Sequence, residues 1–293
     1  MTTLNLKVDS EWGRLSLALV NAGNSLPPIK DLGNIPYSLD YYDREKKFHP
    51  EDEPYDNVKV REQLAFLHNI LQANGVELVH AQDVEHAYVQ LFTRDLGFVI
   101  GDIFYFGRSR HAVRDIEKRG LEFLKELVSG YVEITQGNIE GGDIFLYGKK
   151  IFIGISRQTN LEGFRALESD LRPMGYSAIP VPLTQEALHL DCRFNMFSYE
   201  GAVLLEHAFT QEGIENIETH FKGEIFRLPD QERITLGTNF FMISPTLAIA
   251  DKRNSRTNEV LDRHGINVIE MDYSEVTKLW GGPRCSVMPL YRY

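Results

Sequence analysis

The sequence predicts an α/β fold in which five strand–strand–helix–strand units close into a ring. Three observations carry this. Apolar strand pairs, each followed by a helix-spaced stretch and another strand, begin near Asp95, Asp143, Cys192 and Asn239, and a further start falls at Cys285. The steps are near-equal at roughly 48 residues, the fixed period of a repeat architecture. The unit opening at Cys285 runs out of chain, so it needs an N-terminal strand, helix and second strand to complete it. The final apolar run, Val287 to Leu290, would otherwise be an unpaired strand edge prone to aggregation.

In chain order, Arg14 to Val20 reads as the first strand. Ser25 to Tyr55 is rich in Pro, Asp, Glu, Lys and Tyr without a steady period, and reads either as a lid over a site or as a surface excursion. Asp56 to Asn74 shows helical spacing at Val60, Leu64, Leu67 and Leu71, stops at Gly75, and leads into a strand at 76–79. Leu96 to Phe106 reads as a hairpin, Val113 through Leu127 as a helix and Tyr131 to Thr135 as a strand. The second unit has a hairpin over 144–153, a helix over 161–171 and a strand over 176–181. The third has 194–205, 212–221 and 224–228, and the fourth 239–250, 259–264 and 266–270. The expected domain is therefore a single one spanning 1–293, its fifth blade shared between both chain ends.

Composition narrows the function. The chain has 293 residues, 43% hydrophobic and 25% charged, enough for one large or two modest cores. A net charge of -11 and a pI near 5.3 argue against nucleic acid or an anionic membrane as partner. Cys192 and Cys285, the two cysteines, make neither a disulfide framework nor a zinc spacing. With no signal-like or membrane-spanning apolar run, a cytoplasmic location is expected.

In a ring, equivalent positions of successive units meet at the axis. The polar residues at the unit starts are Thr93-Arg94-Asp95, Glu140-Gly141-Gly142-Asp143, His189-Leu190-Asp191 and Gly281-Gly282-Pro283-Arg284-Cys285. Taken singly each has an ordinary reading: a turn, a structural histidine, a surface ion pair, a buried free cysteine. Converging, they supply a nucleophile, an acid/base group and several carboxylates. Asp95, Glu140, Asp143 and Asp191 are costly to bury together unless a cation sits among them, and a planar guanidinium with its forked N–H donors suits them.

These motifs resemble the guanidine-modifying enzymes of the pentein superfamily, and the four in order look like the signature motifs of arginine deiminases. Glu11-Trp12-Gly13-Arg14-Leu15 resembles their opening, while Gly141 to Asn160 is equally similar to dimethylarginine dimethylaminohydrolases. The resemblance implies a five-bladed α/β-propeller. It implies Cys285 as nucleophile on the guanidinium carbon, His189 as acid then base, and Glu140 orienting His189. Asp95, Asp191 and Asp143 would border the guanidinium, with Arg157 and Arg114 as candidates for a substrate carboxylate. The implied reaction is deimination of L-arginine to citrulline and ammonia through a covalent thiouronium. Methylarginine hydrolysis, arginine dihydrolysis and amidino transfer are the alternatives, and a non-catalytic propeller like the ribosome anti-association factor is the reading of another class. No metal or organic cofactor is implied. The expected partner is a small guanidino molecule, with a homo-oligomer expected on general frequency. The chain departs from typical arginine deiminases in lacking room for their extra helical domain, and in placing Trp280 where an arginine is common.

Overall fold

The computed structural model describes residues 3–46 and 54–293. The chain begins with β1 (Lys7–Val8) and β2 (Leu15–Val20), passes through helices α1 (Ser38–Lys46) and α2 (Asn57–Ala73), and returns in β3 (Glu77–His80). Four units of one plan follow. The first holds α3 (Thr93–Leu96), β4 (Gly97–Ile100), β5 (Ile103–Phe106), α4 (Ala112–Glu117) and β6 (Tyr131–Glu133). The second holds β7 (Ile144–Tyr147), β8 (Lys150–Ile155), α5 (Leu161–Leu171) and β9 (Ser177–Pro182). The third holds β10 (Phe194–Met196), β11 (Gly201–Leu204), α6 (Gln211–His220) and β12 (Glu224–Arg227). The fourth holds β13 (Phe241–Ser244), β14 (Leu247–Asp251), α7 (Ser255–Arg263) and β15 (Asn267–Met271), after which come α8 (Ser274–Thr277) and β16 (Met288–Arg292).

Each of these units makes its own three-stranded sheet, an antiparallel hairpin whose second strand pairs in parallel with the strand after the helix. The fifth sheet runs β1-β16-β2-β3 and joins the two ends of the chain. β16 lies antiparallel to β2, and β2 parallel to β3, which repeats the plan of the other units. This is the five-bladed α/β-propeller the repeat predicts. Pro289 lies within β16 opposite Ala18, and the register is irregular just after it, as a strand residue without an N–H donor requires. β1, which sequence patterning does not reveal, pairs in parallel with the other edge of β16, so that the apolar strand has partners on both sides.

Helix α2 shows how local sequence sets an element. The Asp56 side chain accepts from the Val58 and Lys59 N–H groups, satisfying donors that a helix start leaves open. Val60, Leu64, Leu67 and Leu71 form its buried stripe, and Gly75 adopts φ +82° beyond its end.

One open stretch gains structure and one expectation is corrected. The aperiodic 25–55 stretch contains a 3-10 helix over Ile29–Asn34 and then α1, although its residues 47–53 lie outside the described residues. Its order comes from buried anchors: the Ser38 hydroxyl lies 2.5 Å from the Leu32 carbonyl and 2.8 Å from that of Ile35, and Tyr41 is buried. The helix expected through 113–127 breaks after Glu117 into a 3-10 helix over Lys118–Glu126. There Gly120 lies so close to the segment after β3 that a Cβ would stand 2.3 Å from the Gln82 carbonyl oxygen.

Candidate active site

The turns that open the five units are bonded to one another around the axis. The Arg94 N–H donates to the Cys285 carbonyl at 3.1 Å, and the Arg284 N–H to the Asn239 carbonyl at 3.1 Å. The Thr238 hydroxyl donates to the Asp191 carbonyl at 2.9 Å, and the Leu190 N–H to Asp143 Oδ1 at 2.8 Å. Between the first and second units, a Cβ on Gly141 would lie 2.2 Å from the Arg94 carbonyl oxygen, so only glycine permits that approach.

Asp95, Glu140 and His189 form one buried cluster. His189 Nε2 lies 2.8 Å from Glu140 Oε2, and its Nδ1 faces Asp95 Oδ1 at 3.8 Å. Gly142 makes room for this, since a Cβ there would meet the His189 ring at 2.8 Å and Asp95 Oδ1 at 3.0 Å. Burial opposes charge on the imidazole, but Asp95, the hydrogen-bonded Glu140 and Asp143 outweigh it and push His189 up to about 10. Burial works equally against the Glu140 carboxylate, and the His189 bond and charge, with Arg114, bring it down to about 2. Asp95 is pushed up by burial, against the pull of His189 and Arg114. Asp95 Oδ1 and His189 Nδ1 have no hydrogen-bond partner among the described residues, which leaves a buried acceptor and a ring nitrogen side by side. The ligand atoms of Asp95, Glu140 and His189 lie within 4.8 Å of one another, so the set could also hold a cation.

Cys285 is 2% exposed and lies beside this cluster. Its Sγ is 3.5 Å from Asp191 Oδ2 and receives the Asn239 amide, Nδ2 to Sγ 3.1 Å. Burial pushes the thiol well up, and Asp191 and Asp95 add to that. The resting sulfur is therefore a neutral thiol that a nearby cation would acidify. Asp191 is paired with the chain's own guanidinium: Arg284 donates to Asp191 Oδ2 at 2.9 Å and to Glu11 Oε2 at 3.1 Å. Cys192 Sγ lies 3.5 Å from the other Asp191 oxygen.

The remaining expected residues fall into different positions. Asp143 has both oxygens occupied, by the Leu190 N–H and by the Ser156 hydroxyl at 2.7 Å. It fixes the turn that carries His189 to the end of β8. Arg114 is likewise engaged, with Nη2 3.1 Å from Asp95 and Nε 3.1 Å from Glu117. It is a buried link between Asp95 and Glu117. Glu117 continues the link by accepting the Tyr88 and Val89 N–H groups at 3.1 and 2.7 Å. Arg157 donates to the Gln185 carbonyl at 3.2 Å, and its own carbonyl accepts from Arg110 at 2.7 Å. Two residues that the sequence places in motifs without a site role are central: Asn239, which touches the sulfur, and Glu11, which shares Arg284 with Asp191. Asn239 carried a signal, because it opens the fourth unit in the register of the other site residues.

The arginine deiminase family model matches residues 122–230 and 223–292. The uncharacterized protein YkgA of Bacillus subtilis is 31% identical over 252 residues, 85% of this chain and 86% of its own length. The arginine deiminase of Oenococcus oeni is 27% identical over 251 residues, covering 69% of this chain but 60% of that enzyme. The chain thus matches little more than half of the curated deiminases' length. Among solved structures, SxtG, an amidinotransferase of the saxitoxin pathway from Microseira wollei, superposes with a TM-score of 0.80 at 16% identity, covering 98% of this chain and 97% of that one. A dimethylarginine dimethylaminohydrolase from Pseudomonas aeruginosa, complexed with citrulline, gives 0.75 at 21% identity, covering 94% and 99%. The N-terminal domain of ArgZ, a cyanobacterial arginine dihydrolase, gives 0.80 at 17% identity, covering 94% and 98%. At these identities the structural likeness establishes the fold.

Proposed function

This chain belongs to the arginine deiminase family, and from that membership we infer a guanidino-group-modifying enzyme that hydrolyses L-arginine to citrulline and ammonia. The observation that carries the reading is the buried cluster of Asp95, Glu140 and His189, in which Asp95 Oδ1 lacks a donor among the described residues, together with Cys285, whose thiol feels the Asp95 and Asp191 charges. A guanidinium is flat, cationic and a donor on every edge. Seated there, it gives Asp95 Oδ1 the donor it lacks and offsets the cost of burying the carboxylates.

The chemistry follows from the charges. A cation next to Cys285 favours the thiolate: the thiol gives up its proton to solvent as the substrate seats, and the thiolate attacks the guanidinium carbon. His189, held protonated by Glu140 and Asp95, passes its proton to the departing nitrogen. The resulting thiouronium is attacked by water, from which the now neutral His189 takes a proton, and the C–S bond breaks to release the ureido product. Asp95 holds and orients the guanidinium, and Asp143 and Arg114 hold His189 and Asp95 in place.

The test is product analysis by mass after incubation with L-arginine, agmatine and methylated arginines. Citrulline and ammonia are expected from arginine, with turnover abolished in Cys285→Ser while the thermal midpoint is retained. Failure to form citrulline from arginine at any enzyme concentration would overturn the substrate assignment. Ornithine in place of citrulline would assign the dihydrolase reaction instead.

A further inference from the structure

We propose that Asn239 is a catalytic residue that stabilises the Cys285 thiolate through its side-chain N–H and fixes the direction in which the sulfur points. The inference rests on Cys285 being the nucleophile. Asn239 is fully buried on the turn preceding β13, where its N–H donates to the Leu236 carbonyl at 2.8 Å. Its side chain bridges two atoms of Cys285. Oδ1 accepts the Cys285 backbone N–H at 3.2 Å, and Nδ2 donates to Sγ at 3.1 Å. The direction of the amide follows from chemistry, because a backbone N–H can only donate. The oxygen must therefore face that N–H, which turns the NH2 group onto the sulfur. Nδ2 also approaches the Asp191 carbonyl at 3.4 Å, and the Asn239 carbonyl accepts the Arg284 N–H at 3.1 Å. The side chain has no rotational freedom left.

The sulfur is thus held between opposing neighbours. Asp191 Oδ2, 3.5 Å away, accepts from the thiol and so favours the protonated form. The Asn239 N–H donates, and a donor favours the anion. Asn239 is the side-chain amide donor at Sγ, acting beside the Gly282 backbone, and it retains that bond when the thiolate forms. It lowers the energy of the charged nucleophile without repelling the cationic substrate, which a lysine or arginine at this place would do. Gly282 protects the arrangement: a Cβ there would lie 2.7 Å from Asn239 Oδ1.

The experiment follows the rate at which iodoacetamide alkylates Cys285 across pH, by mass analysis of the Cys285 peptide. Wild type is compared with Asn239→Asp and Asn239→Ala, each shown to be folded by its thermal transition. Asn239→Asp separates the two roles, since it keeps an oxygen for the Cys285 N–H and replaces the donor at Sγ with an acceptor. The alkylation midpoint in Asn239→Asp should rise by at least about one pH unit, an approximately tenfold loss of reactivity at a fixed pH below it. Asn239→Ala should move the same way by less, and serves if the aspartate variant does not fold. A folded variant with the wild-type midpoint would overturn the proposal and leave Asn239 a purely structural bridge. The readout is the thiol itself, so it stands apart from the choice of substrate. Absence of citrulline would sink the deiminase reading while leaving the alkylation shift to decide this one.

Discussion

His189 is the residue whose charge state the site depends on most. Its raised pKa has a stability consequence with a definite sign. A group raised in the folded state contributes in full below its unfolded value, here 6.5, and that contribution fades as pH climbs through about 10. Glu140, lowered to about 2 from 4.5, contributes in full above 4.5 and fades as pH falls. The pair therefore stabilises the fold most between pH 4.5 and 6.5, and the imidazolium persists across neutral pH. Histidine-labelled NMR should show the His189 ring still protonated at pH 8. In Glu140→Gln, the lost charge should lower its midpoint by more than one unit. A wild-type midpoint near 6.5 would contradict both the charge state and the general-acid role built on it.

At the scale of elements, α1 is the piece that sequence reading left open. Its Tyr41 ring lies 5.1 Å from His111, 6.0 Å from Tyr88 and 6.2 Å from Trp280, while Tyr42 is 5.6 Å from Trp280. His111 caps α4, which carries Arg114, and Trp280 precedes the Cys285 turn in a left-handed conformation, φ 68°. The helix therefore rests on the elements that bear Arg114, the ion-pair partner of Asp95, and Cys285. We predict that Tyr41→Ala loosens this cover. Iodoacetamide should then reach Cys285 severalfold faster, and KM for the guanidino substrate should rise more than kcat falls. An unchanged alkylation rate would show that α1 does not shield the sulfur. The element was hard to read because its contacts are made by a few aromatic rings reaching distant turns. A 3.6-residue apolar stripe, as in α2, is visible in sequence; a helix pinned by Tyr41 and a buried Ser38 hydroxyl is not.

For the whole molecule, the near-constant spacing of unit starts made the ring and the meeting of Asp95, Glu140, His189 and Cys285 legible, because a closed repeat forces equivalent positions to the axis. The pairing of charges there was not legible. Glu11, Asp143, Asp191, Arg114 and Arg284 are acids and bases whose partners lie as far as 273 residues away, and residue type does not say which carboxylate meets substrate and which meets arginine. Arg284 is the central case. It joins the final turn to Asp191 of the third unit, to the Ile144 carbonyl of the second and to Glu11 at the other chain end, with Phe145 under its guanidinium at 3.9 Å. Glu11 also accepts the Leu146 N–H at 3.1 Å, so it ties the N-terminal segment to two units at once. Closing a ring through one shared blade places the closure on such groups, since the blade has no internal chain connection between its halves. Glu11→Ala leaves a buried guanidinium with one partner fewer and orphans a backbone donor, the kind of loss that costs about 3–5 kcal/mol. Glu11→Gln keeps one acceptor oxygen but turns an NH2 group onto the other donor, so it should recover only part of the loss seen in the alanine variant. Urea unfolding followed by tryptophan fluorescence measures both, and an alanine variant within about 1 kcal/mol of wild type, inside the range of an ordinary surface pair, would show that the ring closes without this contact.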